Sequence, residues 1–130
     1  MGDCLFCRIV AGEITSYKVY ENDDYIVFLD AHPATRGHML AIPKQHYRWT
    51  YDVPNFGEYW EVARKVGQNA MKALGAEWLS FLTHGGVQHA HIHILPRYEK
   101  DVAHAVPAPE QGDTSKEELQ EVQHKIVSSM

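Results

Sequence analysis

Apolar and polar positions fall into short blocks whose spacing predicts most of the elements. Residues 4–10 read as a short helix closed by Gly12. Residues 17–20 and 25–29 are rich in β-formers, and Glu21-Asn22-Asp23-Asp24 between them suits a turn, which predicts a hairpin. A third apolar run, residues 38–42, lies between Gly37 and Pro43 and predicts another strand. From Pro54 the period changes. Phe56, Tyr59, Trp60, Ala63, Val66, Ala70 and Leu74 recur every three or four residues, and Glu58, Glu61, Arg64, Lys65, Gln68 and Lys72 fall largely opposite. That is an amphipathic helix over residues 54–74, ended by Gly75. Residues 78–83 and 89–95 read as two more strands joined through Gly85-Gly86, the second stopped by Pro96. Residues 98–113 are polar and proline-containing and predict a loop. Ser115 and Glu118 then form a capping box ahead of Leu119, Val122 and Ile126, which predicts a terminal helix.

Strands, helix, strands, helix is the order of an α+β domain. The expectation is an antiparallel sheet of about five strands with one long helix and a C-terminal helix. The 130 residues fit one domain, 1–130, with a folded core over about residues 4–98 and the tail and terminal helix over 99–130. A hydrophobic fraction of 45% supports a core without disulfide staples.

Charge and cysteine usage narrow the function classes. The net charge of −5 lacks the basic excess of a nucleic-acid binder, so no nucleic-acid partner is expected. A locally positive nucleotide pocket stays compatible with it. No apolar run approaches the roughly 20 residues that span a bilayer. Met1-Gly2-Asp3-Cys4 lacks the pattern of a secretory leader. The expectation is therefore a cytoplasmic protein with no membrane partner. In a reducing compartment the C-x2-C pair Cys4 and Cys7 reads as a metal half-site or as free thiols.

The chain holds nine histidines, three of them alternating as His89, His91 and His93. On a strand, Ala90, Ile92 and Ile94 would face a core, and the three imidazoles with Leu95 would face the other way, about 6–7 Å apart. Such a row is a solvated face, a zinc site using alternate histidines, or a nucleophile flanked by phosphate-binding partners.

The sequence His89-Ala90-His91-Ile92-His93-Ile94-Leu95 resembles the signature of the histidine triad (HIT) superfamily. Upstream blocks are similar too: residues 4–14, Val19-Tyr20-Glu21, Phe28-Leu29-Asp30, and residues 37–46 from Gly37-His38 to Lys44-Gln45-His46. The resemblance covers residues 4–98 and is closest to the HINT-like branch with an N-terminal cysteine pair. It implies a nucleotide hydrolase or transferase acting at the α-phosphate of a nucleoside phosphoramidate or dinucleoside polyphosphate, through a covalent nucleotidyl-histidine. It implies a purine nucleotide as substrate and a homodimer formed through the long helix, with Tyr59 and Trp60, and an adjoining strand. His91 would be the nucleophile and His93 its catalytic partner. His38 would join the phosphate cradle, Asp30 would hold the ribose, and Leu5, Phe6, Ile9 and Phe28 would line a base slot. Thr83 or His84 would stand where many members have Asn, with Thr83 the candidate phosphate contact. A structural zinc on Cys4, Cys7, His46 and His89 is implied by the zinc-containing members, with no organic cofactor.

The chain departs from that pattern before the triad. The family's longer loop with Gly-Gln-Ser/Thr is replaced by Thr83-His84-Gly85-Gly86-Val87-Gln88. This motivates a non-catalytic nucleotide-binding partner protein as one alternative. A metallohydrolase with zinc on the triad is the other.

Overall fold

The fold is that of a computed structural model, and the residues described are 4–99 and 114–130. Apart from Tyr98 and Glu99, the loop expected over 98–113 lies outside them.

Helix α1 spans Leu5–Val10, with Cys4 as its N-cap. Strands β1 (Lys18–Glu21) and β2 (Tyr25–Leu29) form the expected hairpin. Asn22 makes its turn, because Asn22 Oδ1 accepts hydrogen bonds from the backbone N–H groups of Asp24 and Tyr25. Strand β3 is Met39–Pro43, and a 3₁₀ turn over Thr50–Asp52 precedes helix α2, Phe56–Leu74. Strands β4 (Trp78–Leu82) and β5 (Ile92–Arg97) follow, and helix α3 covers Lys116–Ser128. All strand pairs are antiparallel in one five-stranded sheet, order β1-β2-β3-β5-β4.

The helix periods hold. The six charged or amide residues assigned to the polar face of α2 are exposed, and Tyr59, Ala63, Val66 and Ala70 are buried. Gly75 caps α2 in the left-handed conformation, and Ser115 Oγ accepts from the Glu118 N–H at the start of α3. One position differs from the stripe: Phe56 is exposed at the first turn. Tyr59 follows the stripe into the core, where its hydroxyl donates to the Ala41 carbonyl at 2.7 Å. Tyr59 is thus removed from the surface on which a dimer contact was expected, whereas Trp60 stays partly exposed.

The last strand starts and ends later than its pattern predicts. Residues 89–91 are pinned to the chain after β3 instead of a ladder: the Ala90 N–H donates to the Tyr47 carbonyl at 2.7 Å, and His89 Nε2 donates to the Pro43 carbonyl at 2.8 Å. Pairing with β3 runs only from Ala41↔Ile92 to Met39↔Ile94. Beyond Ile94 the strand pairs with β4 alone, and this one-sided stretch accommodates Pro96, which continues the strand to Arg97.

The sheet is buried on both faces at its centre, so β2 and β3 are buried at every position. One face packs Val27, Met39, Ala41, Ile92 and Ile94 against α2 and α3. The opposite face carries a smaller cluster of Phe6, Ile26, Phe28, Leu40 and Ile42, with α1 lying over it. The histidines belong to that second face.

Candidate active site and metal-ligand cluster

Six of the described histidines lie in two adjoining groups. The first is built on α1. Its N-cap is a thiol, and the Cys7 N–H donates to Cys4 Sγ at 3.3 Å. Helical spacing brings Cys4 and Cys7 to one end of the helix, facing His89 and His46. Cys4 Sγ and Cys7 Sγ lie 3.3 and 3.4 Å from His89 Nδ1, and Cys7 Sγ lies 3.2 Å from His46 Nδ1. The four ligand atoms are all within 4.8 Å of one another. A tetrahedral zinc with Zn–S of about 2.3 Å and Zn–N of about 2.1 Å has S···N edges of about 3.6 Å, so the donor set fits that ion in type, number and separation. His89 is fully buried, and its Nε2–H on the Pro43 carbonyl leaves Nδ1 bare toward the thiols. Burial and the Cys4 side chain push the Cys7 thiol up to about 11. A cation between the sulfurs would supply the charge that offsets this.

The second group holds His91, His93, His38 and His84, the alternative to Thr83 at the position where many members have Asn. His91 is buried, and its Nδ1–H donates to the His89 carbonyl at 2.8 Å. The Phe6 ring meets it edge-on at 5.3 Å. His91 Nε2 makes no hydrogen bond among the described residues. Burial chiefly, with His84 and Arg48 adding to it, holds this imidazole below the ordinary histidine value, against the pull of the His89 carbonyl and Asp30. His93 has both nitrogens taken, Nδ1 by His38 Nε2 at 2.9 Å and Nε2 by His84 Nε2 at 3.1 Å. Burial pushes His93 down to about 3, with His38, His91 and His84 contributing.

His38 is placed by its neighbours in the chain. Gly37 takes φ +89°, which favours glycine, and a Cβ there would stand 2.4 Å from Leu74 Cδ1 and 3.2 Å from Pro96 Cγ, so any larger residue also needs the Leu74 side chain to move. The Ala34 N–H donates to His38 Nδ1 at 3.0 Å, which turns Nε2 toward His93. Asp30 sits beside it: Asp30 Oδ2 is 3.7 Å from His38 Nε2, and Oδ1 accepts from the His32 N–H at 2.9 Å.

The remaining candidates divide. Phe6, Phe28 and Ile9 share the apolar cluster under the histidines, with Phe6 and Phe28 in edge contact at 5.7 Å. Leu5 is 45% exposed and lies outside the cluster. Thr83 is exposed and makes no hydrogen bond among the described residues. The neighbouring position is the one that enters the site: the His84 ring lies nearly parallel to His93, 4.9 Å between centroids and 9° between planes, and 5.6 Å from His91. The signal for it was its place beside Thr83 at the position of the family's Asn, and the shortened glycine turn gave no means of choosing between the two. The sets His84–His91–His93 and Asp30–His38–His93 also bring metal-competent atoms within 4.8 Å, but both use His93, whose two nitrogens are already hydrogen-bonded.

Comparison with known proteins shows the family and the fold. The HIT domain family model matches residues 11–100, and the chain belongs to the HIT family. A Hit-like protein from Bartonella henselae superposes with a TM-score of 0.86 at 28% identity, over 100% of this chain and 98% of that one. A zinc-bound histidine triad family protein from Mycobacterium smegmatis superposes with a TM-score of 0.75 at 28% identity, over 98% of this chain and 93% of that one. Among curated relatives, the adenylylsulfatase HINT3 of Arabidopsis thaliana is 35% identical over 107 residues, 76% of this chain and 54% of that one. The family thus includes hydrolases, and at least one zinc-bound member. No helix among the described residues is long and apolar enough to cross a membrane.

Proposed function

We propose that the chain cleaves a purine nucleotide at its α-phosphate through a covalent nucleotidyl-His91. The observation that carries this is the state of His91. Its Nδ1–H is tied to the His89 carbonyl, and its Nε2 alone among the triad nitrogens has no partner among the described residues. An imidazole held in this tautomer and kept neutral by burial presents a lone pair in a fixed direction. In the first step Nε2 forms a P–N bond as the bond from phosphorus to the leaving group breaks. The leaving group takes up a proton from water, and the neutral His93 steadies it by donating a hydrogen bond. In the second step water attacks phosphorus, the P–N bond breaks, and the nucleoside monophosphate departs. The Phe6–Phe28–Ile9 cluster offers an apolar slot for the base and Asp30 a carboxylate for the ribose. Substrates in this reading are nucleoside phosphoramidates and dinucleoside polyphosphates. HINT3, by its name, adds adenylyl sulfate to the panel.

Rapid quenching with adenosine phosphoramidate followed by mass spectrometry tests it. The expected product is an adenylyl adduct on the peptide holding His91, absent from His91→Ala, which should lose turnover by at least about 10⁴-fold. Full turnover in His91→Ala sinks the reading. Activity that a chelator removes and zinc restores, with no adduct, favours a metallohydrolase.

The proposal includes a structural zinc on Cys4, Cys7, His46 and His89, and a homodimer through α2 and β4. Support for the dimer is local. Strand β4 is a sheet edge, and Phe81, Trp60 and Phe56 form a chain of aromatic contacts beside it, at 5.9 and 6.1 Å, with Phe81 and Phe56 exposed. Sedimentation should give twice the chain mass, and Phe81→Lys should shift the protein toward the monomer.

A further inference from the structure

The imidazoles His38, His93 and His84 form a chain whose two ends are both closed by backbone donors. The Ala34 N–H donates to His38 Nδ1 and the Gly86 N–H donates to His84 Nδ1, at 3.0 and 3.2 Å. Between the ends lie two ring-to-ring contacts, His38 Nε2 to His93 Nδ1 at 2.9 Å and His93 Nε2 to His84 Nε2 at 3.1 Å. Each ring-to-ring hydrogen bond needs one proton, so the four contacts together accommodate two. Three neutral imidazoles carry three. One N–H is therefore left without an acceptor within the chain of rings, and the nearest carboxylate among the described residues, Asp30 Oδ2, stands 3.7 Å from His38 Nε2, beyond hydrogen-bond reach.

Its location follows from burial. The His38 end is buried, and its contact with His93 is the shorter, so His38 Nε2–H donates to His93 Nδ1. His93 then carries its proton on Nε2. His84 also carries its proton on Nε2, because its Nδ1 accepts from Gly86. Two N–H groups converge on each other at the exposed junction beside His91. Converging donors are satisfied by an acceptor placed between them; water can take that place, and an oxyanion takes it with the stronger, charge-assisted hydrogen bonds.

The turn that carries His84 is built to hold it there. Arg48 Nη2 donates to the Gly85 carbonyl at 3.2 Å, and the Arg48 guanidinium lies 3.8 Å over the Trp49 ring. That ring covers Gly85 so closely that a Cβ would stand 2.4 Å from Trp49 Cζ3. Arg48 Nη1 is buried with no hydrogen-bond acceptor among the described residues, a second donor in excess on the same turn.

We infer that His84 is a substrate-binding residue which, with His93, grips a phosphate oxyanion next to His91, replacing the donors of the loop this chain lacks. The inference rests on the nucleotide reading of the site. When the phosphate arrives, the His84–His93 contact opens and each ring gives its Nε2–H to oxygen. Asn at position 84 would still offer N–H donors. Phe would keep the flat ring and offer none.

The test is calorimetric titration of the full chain with adenosine monophosphate and, separately, with adenosine. His84→Ala and His84→Phe should bind the monophosphate about tenfold more weakly. His84→Asn should stay within about threefold of wild type, and adenosine binding should be the same in all four proteins. Monophosphate binding in His84→Phe equal to wild type overturns the inference, as does an equal loss for adenosine, which would mark His84 as merely structural. If wild type binds the monophosphate no better than adenosine, the nucleotide reading falls together with the inference. Loss of binding in His84→Phe without any adduct on His91 leaves the oxyanion site standing and removes the covalent mechanism instead.

Discussion

At the scale of single residues, the three triad histidines differ by what each nitrogen touches. His89 spends one nitrogen on the Pro43 carbonyl and faces two thiols with the other. His93 is bonded on both sides, and His91 keeps one side open. If His93 serves by donating a hydrogen bond, His93→Ala should slow turnover by about 10²–10³-fold, well short of the loss at His91, as steady-state kinetics would show. The same environment makes a prediction about acid. Burial holds His38 and His93 below their unfolded value of about 6.5, His93 down to about 3. Between those limits the unfolded chain binds protons that the folded chain refuses, so stability rises with pH there. The contribution is fully present above about pH 6.5 and is lost progressively as pH falls toward 3. Urea midpoints measured from pH 7 to pH 5 should therefore fall less steeply in His93→Asn than in wild type. Parallel slopes would show that His93 titrates normally in the fold.

At the scale of elements, legibility followed period and punctuation. Helix α2 declared itself through its three-and-four spacing and Gly75, α3 through Ser115 and Glu118, and the first hairpin through Asn22. The pattern carried no information on where a strand stops being a strand. Residues 89–91 alternate like β5 but are tied down by Tyr47 and Pro43, contacts set by tertiary structure. Arg97 was legible only as a charge, yet it is buried, with Nη1 donating to Ser80 Oγ at 2.8 Å and its guanidinium 5.3 Å from the Trp78 ring. Site residues were legible where they sat inside a motif. His84 was legible only as the alternative to Thr83, because the shortened turn has no family pattern that decides between them. Gly37 joins the two levels, since one backbone angle before β3 aims His38. Gly37→Ala should cost about 1–3 kcal/mol from the left-handed φ, more if Leu74 cannot yield, and should lower turnover by displacing His38. Denaturant unfolding and kinetics on the same preparation would check both halves. A variant as stable as wild type would mean the loop relaxes to a negative φ.

At the scale of the molecule, α1 is the element with least to hold it. It has six residues, buries only Phe6 fully, and reaches the rest of the chain through the small second cluster. An isolated helix of that length does not form in water. The Cys4–Cys7–His46–His89 cluster ties it to the segment after β3 and to the start of the triad, three stretches far apart in sequence. A zinc there would bind the folded chain and not the unfolded one. At a free concentration a thousandfold above Kd it contributes about 4 kcal/mol, which for a domain of this size is about 10–20 °C in Tm. Treating the purified protein with a strong chelator should lower Tm by that amount, and returning zinc should restore it. Cys7→Ser should start at the lower value and respond to neither treatment. An ion in this position would be structural, so the His91 adduct should still form in chelated protein well below its new Tm, though more slowly as α1 loosens the Phe6 contact with His91. A chelator that leaves Tm unchanged would mean the cluster is held by thiol–imidazole hydrogen bonds alone, and α1 would then owe its place to Phe6 and the apolar cluster beneath it.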